Sequence, residues 1–200
     1  MSGQIRFRHS DGADNRLDSI SQSWIYFIYD WEIEMKLGDG VEQAIHSVGM
    51  LSGLSDGGVL SAAALAEFHG VSTSYLLKHL QALSGAKLVE TVPGPKGGYR
   101  LARKPEDITL LDIVLAVEGP APAFRCAEIR QRGPNPLPGR YFTKPCGINA
   151  AMLKAEKAYR AELAKVTIAD ILADLRSTDD GGIAARGCAF LEINERKAAR

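Results

Sequence analysis

Apolar positions at Val41, Ala44, Ile45, Val48 and Leu51 recur at helical spacing, which predicts a first helix from about Val41 to Leu51 with one buried face. The loop Ser52–Gly58, with glycines at 53, 57 and 58 and an Asp at 56, stops it. Ser61 is placed to cap a helix over Ala62–Phe68, Gly70 supplies a tight turn, and Ser72 is placed to cap a helix over Thr73–Ser84. Ala66, Gly70 and Leu76 then stand where a helix-turn-helix needs a small residue at the crossing, a glycine at the turn and an apolar residue beneath the second helix. Taken alone, this pattern also fits a generic helical hairpin.

The next residues sharpen the choice. Leu88–Val92 reads as a strand, Pro93–Gly98 as a turn and Tyr99–Leu101 as the returning strand. A hairpin directly behind a recognition helix, with Lys96 and Arg100 at its tip, is a wing whose backbone and cations suit phosphates or a minor groove. Gly97 and Gly98 permit unusual torsions and close approach to DNA, or serve a plain hairpin turn. Beyond the wing, Thr109 and Asp112 open a capping-box-like start for a helix over Leu110–Val117, which Gly119 stops. A proline-rich loop spans Pro134–Pro145. Ile148–Val166 then reads as one long amphipathic helix, with Met152, Ala155, Tyr159, Leu163 and Val166 forming a seam for helix-on-helix packing. Thr167 and Asp170 restart a shorter helix to about Leu175.

These elements give a mainly α chain with a small β wing. The expected organisation is a winged helix-turn-helix DNA-binding domain over 35–120, a loop over 121–147, a dimerisation helix region over 148–176 and a flexible tail over 177–200. Residues 1–34 run polar from Ser2 to Ser23 and end in the aromatic stretch Trp24–Tyr29, with no defensible period. They are expected to be a poorly ordered leader, the alternative being that Trp24–Tyr29 docks on the dimer as an extra strand or helix.

Composition narrows the function. Apolar residues make up 46% and charged residues 24%, as in a globular chain, and the net charge is zero. The charge is unevenly placed: Lys78, Lys87, Lys96, Arg100, Arg103 and Lys104 face a single acid, Glu90, across the module that reads as helix and wing. A local basic face on a neutral chain is the footprint of a compact DNA-binding element. The longest apolar run is Trp24–Tyr29, too short for a membrane helix and not followed by a small-residue cleavage site. Three cysteines in a chain without an export signal point to the reducing cytoplasm, where thiols serve as metal ligands or redox sensors. No phosphate loop, nucleophile elbow or metalloprotease helix supports an enzyme.

Several stretches together carry a family resemblance: Met35-Lys36-Leu37, Val71-Ser72-Thr73-Ser74-Tyr75-Leu76, the wing Gly94–Arg103, Ile108–Ile113 and Ala116–Pro120. Residues 35–175 resemble the Rrf-type winged-helix regulators, the family that includes IscR and NsrR. The resemblance implies a homodimer on a roughly palindromic double-stranded operator and, in many members, an iron–sulfur cluster that sets DNA affinity. Many cluster-bearing members carry three cysteines close together after the post-wing helix; here that region has only Cys126 and Cys146, and Cys188 lies in the expected tail. Phe124–Pro134 and Lys144-Pro145-Cys146 are most similar to the RsrR-type subgroup. There, a [2Fe–2S] cluster is held by two cysteines of one subunit and by Glu and His from the first helix of the other.

Carried over residue by residue, this implies Cys126 and Cys146 with Glu42 and His46, while His69 is either an alternative ligand in another redox state or a residue that packs under the turn. Glu42 and His46 are four apart on a helix and so project from one face. Such a pair is equally common as surface decoration, and two cytoplasmic cysteines are ordinarily plain thiols. For DNA, Ser74, Tyr75, Lys78 and Gln81 are the candidates on the recognition helix, with Lys96, Gly97, Gly98 and Arg100 in the wing; His79 is expected to face DNA or solvent. The expected function is a transcription regulator whose operator affinity follows the redox state of the cluster. The alternatives are a cluster-free regulator sensing thiol oxidation or a metabolite, and a dimeric interaction protein that does not bind DNA.

Overall fold

The computed structural model describes residues 37–178 and 180–197, which fall in one compact unit spanning 37–200. The expectations for 1–34, including docking of Trp24–Tyr29, lie outside the described residues. Helix α1 (Asp39–Leu51) buries Val41, Ala44, Ser47, Val48 and Leu51, with Ile45 packed at the margin, as the apolar spacing requires. The short strand β1 (Gly58–Val59) leads into α2 (Ala62–His69), where the Ala64 N–H donates to Ser61 Oγ at 3.1 Å, so the expected cap is present. Gly70 ends α2 in the left-handed region (φ 66°, ψ 33°), which glycine enters without steric cost. Helix α3 (Thr73–Gly85) follows, burying Leu76, Leu80 and Leu83. Ser72 does not cap it; its hydroxyl lies 2.9 Å from Ser74 Oγ instead, so two neighbouring hydroxyls satisfy each other.

The wing is an antiparallel hairpin of β2 (Val89–Val92) and β3 (Gly98–Leu101), with Val92 opposite Gly98 and Glu90 opposite Arg100. Leu60 and Tyr99 exchange backbone hydrogen bonds at 3.0 and 2.7 Å, joining the segment after β1 to β3. A β-carbon on Gly97 would lie 2.1 Å from the Val92 carbonyl oxygen, and one on Gly98 2.3 Å from that of Leu60. The hairpin and its docking on Leu60 therefore already demand both glycines.

A full capping box opens α4 (Leu110–Glu118): the Asp112 N–H donates to Thr109 Oγ1 and the Thr109 N–H to the Asp112 carboxylate. Helix α5 runs over Gly147–Leu163, and none of its residues is buried. It stops short of Val166, whose carbonyl accepts the Leu110 N–H at 2.9 Å, while Thr167 and Asp170 cap α6 (Ile168–Thr178). The buried Ile168 donates its N–H to Ile108 at 2.9 Å, so α6 joins the core of the winged domain rather than extending the α5 seam.

The segment expected as a flexible tail, 177–200, instead holds α7 (Gly182–Asn194) and β4 (Arg196–Lys197), the latter antiparallel to β1. The apolar pair Phe190-Leu191 explains it: Leu191 joins the core and the Phe190 ring lies 4.9 Å from that of Phe68. Glu195 accepts the backbone and side-chain donors of Ser55, and Lys197 Nζ donates to the Asp56 carbonyl at 2.7 Å. Among the described residues, no helix is long and apolar enough to cross a membrane.

Candidate functional site

The burial of Leu76, Leu80 and Leu83 fixes which side of α3 is free. Ser74, Tyr75, Lys78 and Gln81 are all exposed on it, where one helix face can enter a groove. The Lys78 ammonium sits 5.9 Å from the centroid of the Tyr75 ring. His79 does not face outward as expected. It is half-buried, its ring meets that of Tyr75 edge-on (4.7 Å, 82°), and burial, then the neighbouring Lys78 charge, pushes its pKa down against an opposing pull from Glu118.

In the wing, Lys96 is exposed within the turn. Arg100 is not at the tip: it lies within β3, half-buried, in an ion pair with Glu90 directly across the hairpin. That pair offsets the arginine's charge, which leaves Lys96 as the wing cation best placed for a phosphate.

Cys126 and Cys146, twenty positions apart across the proline-rich loop, come together. Their sulfurs and a carboxylate oxygen of Glu128 lie within 4.8 Å of one another. Two anchors shape the loop. Arg160 on α5 donates to the carbonyls of Pro120 and Ala121 at 3.1 Å, and Glu156 accepts the Ala123 N–H at 3.1 Å. At the other end Cys146 is the residue before α5, which sets it at the positive end of the helix beside the first unpaired N–H groups. Hydrogen bonds from the backbone of Asn149, foremost, and of Ile148 hold the buried Cys146 thiol below the ordinary cysteine range, overcoming desolvation; Arg130 and the Cys126 thiol add to this. Arg130 also pairs with Glu128 at 2.5 Å and holds that carboxyl low, chiefly through the hydrogen bond.

Glu128 is the ligand-type residue that sequence reasoning left unassigned. The readable signal was an acid two positions after a cysteine; the left-handed backbone (φ 48°, ψ 48°) that turns it back toward the sulfurs was not readable.

Glu42 and His46 share an exposed face of α1, and among the described residues of one chain they do not join the cysteine group. His69 lies beside His46, ring centroids 5.8 Å apart, and stacks edge-on with Phe68. Burial foremost, then His46 and Arg186, lower its pKa, and its Nε2 is buried without a hydrogen-bond partner. Cys188 is exposed on α7 as a free thiol.

A family model described as Rrf2, iron-dependent transcriptional regulator, matches residues 37–174. Protein aau3 of Rhizobium meliloti is 41% identical over 108 residues, covering 54% of this chain and 66% of that protein, just under two thirds of its length. YffB of Lactococcus lactis, named as an HTH-type transcriptional regulator, is 31% identical over 137 residues, covering 68% of this chain and 86% of the relative. Among solved structures, T. potens IscR is similar with a TM-score of 0.56 and 24% identity, covering 78% of this chain and 99% of that one. CymR, the global cysteine regulator of B. subtilis, has a TM-score of 0.53 and 21% identity, covering 72% and 99%. At these identities the structural likeness shows the shared fold.

Proposed function

This chain belongs to the Rrf2 family of DNA-binding transcriptional regulators, and from that premise we propose that it is a cytoplasmic homodimer whose operator affinity is set by a [2Fe–2S] cluster. Cys126 and Cys146 of one subunit hold the cluster together with Glu42 and His46 of the partner subunit, as in the RsrR-type subgroup. The observation that carries this reading is the convergence of the two cysteine sulfurs, with Cys146 biased toward the thiolate that a metal requires. The donor set fits as well. Thiolates suit iron, and Glu42 and His46 lie on an exposed face of α1 that a second subunit can approach. When bound, the cluster supplies one-electron redox chemistry, at a potential raised by imidazole in place of thiolate. Arg130 offsets the charge of the gathered thiolates and pairs with Glu128 beside them.

Dimerisation has its own support. Helix α5 has no buried residue and leaves Ile148, Met152 and Leu153 66%, 44% and 40% exposed, an apolar seam that a second copy would cover. DNA contact is assigned to Ser74, Tyr75, Lys78 and Gln81 in the major groove and to Lys96 in the wing, with Gly97, Gly98 and Arg100 shaping the hairpin. His69 serves as a packing residue behind His46, and as a ligand only if His46 is displaced.

The test is the visible spectrum, with iron and sulfide analysis, of anaerobically purified protein beside Cys126→Ala and His46→Ala variants. Two irons and two sulfides per chain, lost or spectrally altered in both variants, is the expected result. A protein that stays colourless after reconstitution overturns it. The same sulfur proximity favours a second reading, a reversible Cys126–Cys146 disulfide, which that colourless outcome would leave standing.

A further inference from the structure

We propose that His79 is a positioning residue for DNA reading: its ring, wedged between Gly40 and Tyr75, locks the recognition helix to the first turn of α1 and sets the direction of Tyr75. The proposal rests on the reading of the exposed α3 face as the DNA contact.

The fit at Gly40 is the primary observation. A β-carbon there would lie 2.2 Å from His79 Cε1, 2.6 Å from Nε2 and 2.8 Å from Nδ1. The imidazole therefore lies against the backbone of α1, in space that only a glycine leaves open. The neighbouring turn is fixed from a third side. The Gly38 N–H donates to Glu118 Oε1 at 3.1 Å, which places the carboxylate at the end of α4 beside the N-terminus of α1, where the helix dipole favours it. Three helices thus meet around His79. Its Nε2 is buried and has no hydrogen-bond partner among the described residues, so the imidazole acts there by shape rather than by a polar bond.

On its other edge the ring supports Tyr75, one turn earlier on α3 and 40% exposed. A tyrosine on an open helix face would otherwise sample several rotamers. The edge-on contact, with Lys78 beside the same ring, selects one and pre-orders the group for binding. The chain of contacts runs from α1, the helix that also carries Glu42 and His46, straight to a residue on the reading face.

The experiment uses the full chain and operator duplexes selected from a random-sequence pool, with binding read by fluorescence anisotropy and folding by thermal melting. His79→Ala is expected to weaken operator binding about three- to tenfold, the worth of one aromatic contact. It should add nothing to Tyr75→Ala, because the loss acts through Tyr75. Gly40→Ala should weaken binding similarly in the parent, where the new methyl displaces the ring, and should have no further effect in the His79→Ala background. His79→Phe keeps the ring and should bind like the parent. His79→Ala binding within twofold of the parent while Tyr75→Ala is impaired overturns the proposal, as do losses that multiply independently. If Tyr75→Ala and Lys78→Ala both bind normally, the assignment of the reading face itself has failed.

Discussion

Leu191→Ala tests whether the C-terminal segment is a working part of the winged domain. Leu191 is 8% exposed, belongs to the main core, and presses so closely on the preceding loop that a β-carbon on Gly53 would lie 2.8 Å from its Cδ1. Truncating a buried leucine costs about 2–5 kcal/mol, depending on how far the site collapses. Leu191 lies at the margin of the core, on a helix that can settle inward, so the lower part of that range applies, about 2–3 kcal/mol. The loss should be local. Leu191 is the buried residue of α7, and segment 182–197 is otherwise tied down at the surface, by Phe190 and Arg186 on Phe68, by a two-residue strand and by the Glu195 and Lys197 hydrogen bonds to Ser55 and Asp56. Those contacts are fewer than the leucine layers of α1 to α3, so α7 and β4 open before the rest. A penalty of 2–3 kcal/mol corresponds to roughly 30- to 140-fold more frequent opening. Hydrogen exchange read by mass spectrometry should show that acceleration in residues 186–194 and little change in 44–51 and 76–83. Unchanged protection in 186–194, or an equal loss across all three segments, would refute the reasoning.

Gly98→Ala should destabilise the domain by about 1–3 kcal/mol, measured by urea unfolding, because its methyl meets the Leu60 carbonyl rather than a movable side chain; a neutral result would mean the hairpin is not docked there. Glu195 is held below the ordinary carboxyl range, first by the Ser55 hydroxyl, then by the Ser55 backbone and Lys197. A folded-state value below the unfolded one contributes stability above the unfolded pKa that is lost as pH falls through the folded value. Glu195→Gln should therefore lose stability at neutral pH, with the gap to the parent closing on acidification; a gap that stays constant with pH would count against it. Lys78→Ala should weaken operator binding and lower the slope of log affinity against log salt by about 1, and an unchanged slope would exclude a phosphate contact.

The sequence was most readable where one residue type has one job. Ser61, Gly70 and the Thr109–Asp112 box each satisfy a helix end in a way few other residues can, and each stands where the spacing placed it. Where tertiary partners decide, local pattern is not enough. Glycines and charges after Ser177 suggested disorder, because the partners of Phe190, Leu191 and Glu195 lie well over a hundred positions upstream. Periodicity alone carries the seam through Val166, because it does not register that the Val166 carbonyl is needed by Leu110. Arg100 looked like a free cation until the strand register set Glu90 opposite it. At the cysteine site the thiols were legible as chemistry, but their meeting depends on Arg160 and Glu156 drawing 120–123 onto α5, and no local pattern announces that.

These packing differences bear on how a signal at the cysteines would reach DNA. Helix α1 is buried along Val41, Ala44, Val48 and Leu51 and tied to α3 at Gly40, so it moves with the recognition helix as one body. The segment from Pro120 to Cys146 contains only single 3₁₀ turns and is held mainly by hydrogen bonds from α5. On the proposed ligand set, a redox change therefore acts across a junction between unequal partners: a compliant loop of one subunit and the rigid α1 of the other. Strain at that junction would be relieved by moving the loop and turning the whole reading head, because bending α1 would open the leucine core beneath it. The separation and angle of the two heads in the dimer, rather than the shape of either head, are then what the operator would detect.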